Sequence, residues 1–114
     1  MKSFVNDLII QLKNYFDTIT PKPKFEQGII GLTEGYYLVN VDTDSYSQQG
    51  TETTVAIALK HQEVQTGRGI MEAEVKLKNL SEYLNENYLV RNEQYKYIGK
   101  VDSKFIVYNY MFTI

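Results

Sequence analysis

Apolar residues recur at helical spacing over residues 3–19: Phe4, Leu8, Ile9, Leu12, Phe16 and Ile19 share one face, and Asn6, Lys13, Asn14 and Asp17 take the other. Ser3 stands where a side-chain oxygen can cap a first turn, and Pro21 and Pro23, which break helical hydrogen bonding, close the segment. The period then shortens. Residues 28–41 read as strand with an early turn at Glu34-Gly35, followed by the β-formers Tyr36, Tyr37, Leu38, Val39 and Val41. Residues 42–53 carry no apolar period and read as a mobile polar loop on the surface.

Residues 54–61 alternate: Val55, Ile57 and Leu59 point one way, and Thr54, Ala56, Ala58 and Lys60 the other, as in a half-buried strand. A second amphipathic helix is expected over 70–86, with Ile70, Ala73, Leu77, Leu80 and Leu84 as its stripe. Glu72 and Glu74 each precede a lysine by four positions, Lys76 and Lys78, in the favourable order for helix ion pairs. Residues 94–101 and 104–114 read as a closing hairpin turned at Asp102-Ser103. Its last strand is apolar on both sides, with Ile106, Tyr108, Tyr110 and Phe112 against Phe105, Val107 and Met111. A strand apolar on both faces needs cover on both, and with only two helices available a second subunit is expected to supply one cover.

The order predicts a single α+β domain over 1–114. Four to five antiparallel strands would carry two α-helices on one face, in the order α-β-β-α-β-β, with room for one short strand near Ile29. A chain of 114 residues can hold one core without staples. It has no cysteine, so disulfides, thiolate catalysis and Cys-based metal sites are excluded. The net charge of −2, with lysines and arginines scattered, carries no electrostatic footprint for sequence-specific nucleic-acid binding. No run reaches the length of a membrane span, and Lys2 leads into Asn6 and Asp7 without a signal-peptide core, so a cytoplasmic origin is expected. Ten tyrosines and no tryptophan suit strands and also packed, partly wet interfaces.

Catalytic patterns are thin. His61 is the one histidine, sits at a strand end and has no nucleophile motif to serve. Asp42 and Asp44 have the spacing of the first ligands of a calcium loop, but Ser47 and Thr53 stand where Gly and Glu are needed. Thr66-Gly67-Arg68-Gly69 precedes a helix as a phosphate loop would, yet Glu72 occupies the place of a third glycine. Glu72 and Glu74 point different ways on a helix and do not form an acid–base pair. No enzyme, cofactor or metal is expected.

The unit from Val55 through His61, Gly67-Arg68-Gly69 and on to Leu84, with the C-terminal stretch Tyr97-Ile98-Gly99-Lys100-Val101-Asp102-Ser103 through Phe112, resembles the tail terminator (tail completion) proteins of long-tailed bacteriophages. The resemblance implies a virion structural protein, made in the host cytoplasm and incorporated in the tail. It implies a homo-oligomeric ring, commonly a hexamer, that caps the tail tube and joins it to head–neck proteins. A ring needs two different complementary patches on each copy. Tyr36, Tyr37, Tyr95, Tyr97, Tyr108, Tyr110 and Arg68 are the expected oligomer contacts, and Asp44, Tyr46, Gln48 and Gln49 the expected contacts to tube or neck. The rival readings are a head–tail joining or minor capsid protein, and a small cellular protein-binding module.

Overall fold

A computed structural model describes residues 2–44, 52–63 and 67–114 of the chain. Two helices and five strands follow one another as α1 (Lys2–Asp17), β1 (Phe25–Gln27), β2 (Gly35–Asp44), β3 (Glu52–Gln62), α2 (Arg68–Asn87), β4 (Arg91–Val101) and β5 (Phe105–Thr113). The strands form one sheet in the spatial order β1-β2-β3-β5-β4. The class is α+β as expected, but the sheet is mixed and the order is α-β-β-β-α-β-β. β1 runs parallel to β2, with Phe25 opposite Tyr36 and Gln27 opposite Leu38, while the other pairs are antiparallel.

The extra strand lies at 25–27, ahead of the apolar Ile29 region where one was expected. Lys24 explains it: its carbonyl accepts from Tyr36 N–H at 2.8 Å, and Gly28 N–H donates to Leu38 at 2.9 Å, so the residues between are clamped beside β2. Residues 28–34 form an irregular connection and not the start of a strand. The ends of the polar segment also differ from expectation. Asp42, Thr43 and Asp44 pair with Thr54, Thr53 and Glu52, so residues 42–44 and 52–53 are strand. Two-stranded pairing needs backbone groups and not an apolar face, which is why this stretch carries no hydrophobic period.

Both helices lie on one side of the sheet. Leu8, Leu12 and Phe16 of α1 join Ala73, Leu77, Leu80 and Leu84 of α2 over Tyr36, Leu38, Val55, Ile57, Leu59, Ile106, Tyr108, Tyr110 and Phe112. Burying each such leucine is worth roughly 2 kcal/mol against leaving it exposed. α1 begins at Lys2, so Ser3 lies within it. Gly67 is the N-cap of α2, in a left-handed conformation. Gly69 follows because α2 abuts the end of β3: a Cβ there would stand 2.9 Å from the Gln62 carbonyl. Asp102 and Ser103 make the β4–β5 turn with φ of 55° and 54°.

The expected ion pair Glu74–Lys78 forms, at 3.0 Å. Glu72 instead pairs with Arg68 at 3.1 Å, and Lys76 turns inward to His61. On the helix side Glu93 ties the layers together. Its carboxylate accepts from Ser81 of α2, from Tyr110 at 2.6 Å and from Tyr95 at 3.3 Å. Burial pushes this carboxyl up, but the hydrogen bonds from Ser81, Tyr110, Asn85 and Tyr95 outweigh it and hold it below the usual carboxylate range.

Candidate assembly interface

The other face of the sheet carries no helix. The side chains that reach it follow from the register: Ala56, Ala58 and Lys60 of β3 lie beside Met111, Asn109 and Val107 of β5. Tyr37, Ala58 and Val107 form a second, small apolar cluster, with Val39 and Val101 packed against it. The face read as the polar side of β3 is therefore buried as well. β3 is the central strand, and its small alanines sink between larger neighbours. Asn109 lies amid this face, and its Oδ1 is buried with no hydrogen-bond partner among the described residues.

The connection 28–34 folds over one end of this face. Lys60, only 2% exposed, donates to the carbonyls of Gly31 at 3.2 Å and Leu32 at 3.1 Å. Its Nζ also lies 3.4 Å from Asp102 Oδ2 and 5.0 Å from the centre of the Phe105 ring. A buried ammonium needs such partners, because an unpaired charge in this setting is too costly to keep. Tyr37 adds a second tie, its hydroxyl donating to the Thr33 carbonyl at 2.6 Å. Gly31 passes so close that a Cβ would meet the Tyr37 hydroxyl at 3.0 Å. The backbone is thus held while its aliphatic side chains face outward: Ile29 is 91% and Leu32 85% exposed. Ile30 is also partly exposed. Large apolar side chains on a backbone anchored by a buried lysine form an apolar tip next to the helix-free face.

The far edge of the sheet is β4, which pairs with β5 alone. Register breaks fall between Arg91 and Gln94 and between Tyr97 and Gly99. Lys96 and Lys100 lie on the strand, and Ile98, at the second break, is exposed. Bulges and lysines are the usual means of stopping an edge from pairing with another strand. The geometry therefore favours contact through the face and the 28–34 tip over strand addition at β4.

The tyrosines expected at an interface are mostly engaged within the chain. Tyr36 is in the helix-side core, its ring 4.4 Å from that of Phe16. Tyr95 stacks on Tyr110 at 4.9 Å, and Tyr108 donates to Glu74 at 2.9 Å. Tyr37 lies on the helix-free face. Tyr97 is the most open of the six, leaning over Tyr108 at 6.3 Å. Arg68 is exposed at the start of α2 and bonded to Glu72. Of the expected tube or neck contacts, Tyr46, Gln48 and Gln49 lie outside the described residues, and Asp44 ends β2. Sequence reasoning missed Ile29, Leu32 and Lys60. The only available signal was the run Gly28-Ile29-Ile30-Gly31-Leu32, whose glycines mark a turn-rich segment and not a strand.

His61 is more than a polar strand end. It is buried, with Nδ1 2.7 Å from the Gln62 carbonyl and Nε2 2.9 Å from Lys76 Nζ. A carbonyl only accepts and an ammonium only donates, so this geometry assigns the proton to Nδ1 and a lone pair to Nε2. Glu34 Oε2 accepts from Gln62 N–H at 2.6 Å and lies 3.9 Å from His61 Nδ1. Glu63 accepts from Gly67 N–H at 3.1 Å, closing the entry to α2. Among the described residues no group of three His, Asp or Glu side chains is placed to hold a metal ion, and no helix is long and apolar enough to cross a membrane. Compared with protein families, with curated proteins and with solved structures, the chain matches none.

Proposed function

We propose that this chain is a structural subunit of a phage tail, a tail terminator whose copies close into a ring that caps the tail tube and joins it to the head. The observation that carries the reading is the helix-free sheet face beside the outward Ile29 and Leu32. Tyr37, Ala58 and Val107 of that face are already covered by their own chain, so the surface offered to a neighbour is the tip with the partly exposed Asn109 and Met111 beside it. The tip on one copy and the sheet face of the next make a head-to-tail contact between unlike patches, as ring closure needs. The slight acidic excess suits a ring through which DNA passes without being held.

The test is genetic and visual. Particles assembled without this protein should carry tail tubes of uncontrolled, excessive length in electron micrographs. Tails of normal length that fail to attach heads would contradict a terminator and favour a head–tail joining protein.

A further inference from the structure

A second feature lies away from the helix-free face. Between the C-terminal end of α1, residues 20–24 and α2 runs a cleft of about 460 Å³, lined by Tyr15, Ile19, Pro21, Pro23, Tyr36, Lys76 and their neighbours. A smaller hollow of about 70 Å³ shares Pro23, Lys24, Glu34, Tyr36 and Lys76 with it and reaches His61. The larger volume falls in the range of small-molecule sites, which combine apolar walls with a few placed polar groups.

Two observations point to an anion. Tyr36 is 3% exposed and lines both hollows, yet its hydroxyl makes no hydrogen bond among the described residues. The ring is buried while the hydroxyl opens to the cleft, which leaves its donor available to a ligand there. Lys76 is the other. Its ammonium lies 2.9 Å from Nε2 of His61, and no carboxylate of the described residues is within ion-pair distance of it, although Glu72, paired with Arg68 through Oε1, brings Oε2 to 3.6 Å from the same Nε2. Lys76 is an exposed residue whose ammonium spends one donor on His61, which leaves two for a ligand at the cleft. Lys22 and Lys24 add positive charge at the rim, though they pair with Asp17 at 2.7 Å and Glu26 at 3.6 Å. Glu34 is the acidic group in the lining, and its Oε2 is occupied by Gln62 N–H.

We propose that this cleft binds a small organic anion, with its carboxylate or phosphate on Lys76 and the Tyr36 hydroxyl and its apolar body against Ile19, Pro21 and Pro23. His61 is a positioning residue: its ring holds the Lys76 ammonium at the cleft. The site does not depend on ring assembly.

The experiment is a titration of the ¹⁵N-labelled protein followed by amide and side-chain NMR, with benzoate and phenyl phosphate as probes and with benzyl alcohol and inorganic phosphate as controls. At least one organic anion should give saturable shifts confined to residues 15, 19–24, 34–36, 61, 76 and 79. Each control should bind at least about tenfold more weakly, the worth of one charged hydrogen bond or of a modest apolar contact. Tyr36→Phe and Lys76→Met should each weaken binding about tenfold, and Tyr36→Phe should keep the wild-type spectrum elsewhere and its thermal midpoint. Absence of saturable shifts with both organic anions overturns the proposal. So does benzyl alcohol or inorganic phosphate binding as tightly as the organic anions, or affinity unchanged in a folded Tyr36→Phe protein.

Discussion

The ammonium of Lys60 lies 3.1 Å from the carbonyl oxygen of Leu32, joining the central strand to a connection 28 positions earlier in the chain. Through this bond and its partner to Gly31, a residue with almost no exposure decides where two of the most exposed aliphatic side chains stand. Removing the cation should therefore loosen the tip before it unfolds the domain. Lys60→Met keeps the packing stem and deletes the charge, leaving two carbonyls and Asp102 without their donor. The expected cost is about 1–3 kcal/mol in urea unfolding, with faster amide exchange over residues 29–33 than in the rest of the sheet.

Ile29 and Leu32 contribute little to the fold of one copy. Ile29→Asp and Leu32→Asp should each change stability by less than about 0.5 kcal/mol, as expected for exposed positions. Assembly should respond differently. A charge buried at a contact without a partner is strongly unfavourable, so each variant should shift the oligomer towards monomer in sedimentation at the same protein concentration.

Glu93 makes the domain sensitive to acid. Its carboxyl is held below the ordinary value of 4.5 in the folded chain, with desolvation outweighed by hydrogen bonds from Ser81, Tyr110, Asn85 and Tyr95. A depressed carboxyl contributes stability that is complete above its unfolded pKa and is lost as pH falls through its folded one. Glu74 is lowered too, by hydrogen bonds from Lys78 and Tyr108, and acts in the same direction. Stability should thus decline below about pH 4.5. Glu93→Gln should cost about 1–2 kcal/mol at neutral pH, the worth of charged hydrogen bonds at a partly exposed site, and should flatten that acid limb in denaturation curves measured at successive pH values.

The β4–β5 turn offers a gain. Ser103 holds a left-handed conformation, φ 54°, that costs a residue with a Cβ roughly 1 kcal/mol. Ser103→Gly should recover part of it and raise the thermal midpoint by a few degrees. Asp102→Gly should not, although its φ is similar, because Asp102 also faces Lys60 at 3.4 Å. The difference between the two midpoints reports that contact together with the Ser103 hydroxyl's bond to the Asp102 carbonyl, 2.7 Å, which Ser103→Gly removes.

Helical and alternating periods made most of the fold legible. The stripe through Leu77, Leu80 and Leu84 and the alternation of Val55, Ile57 and Leu59 each have one physical reading, and the core is built from them. The two sides of the last strand also divide as their parity requires, with Ile106, Tyr108, Tyr110 and Phe112 under the helices and Val107 on the open face. The parallel strand β1 was not legible, because residues 25–27 are held by the neighbouring carbonyl of Lys24 and not by a pattern of their own. The role of Lys60 was hidden for a related reason. In the alternation it reads as a solvated position, and only the fold brings the carbonyls of 31 and 32 across to bury it. Tyr36 and Lys76 are far apart in sequence and ordinary in type, so the cleft they share has no sequence signal at all.

The central claim is that the helix-free face and the 28–34 tip are closed by further copies of this chain. Native mass spectrometry of the purified protein, with sedimentation equilibrium across a wide concentration range, tests it most directly. The account expects one closed oligomer of fixed size, six copies for a ring of the common type, that dissociates in Leu32→Asp. A wild-type protein that stays monomeric up to about millimolar concentration, where even a weak contact of about 4 kcal/mol would be half formed, would contradict it.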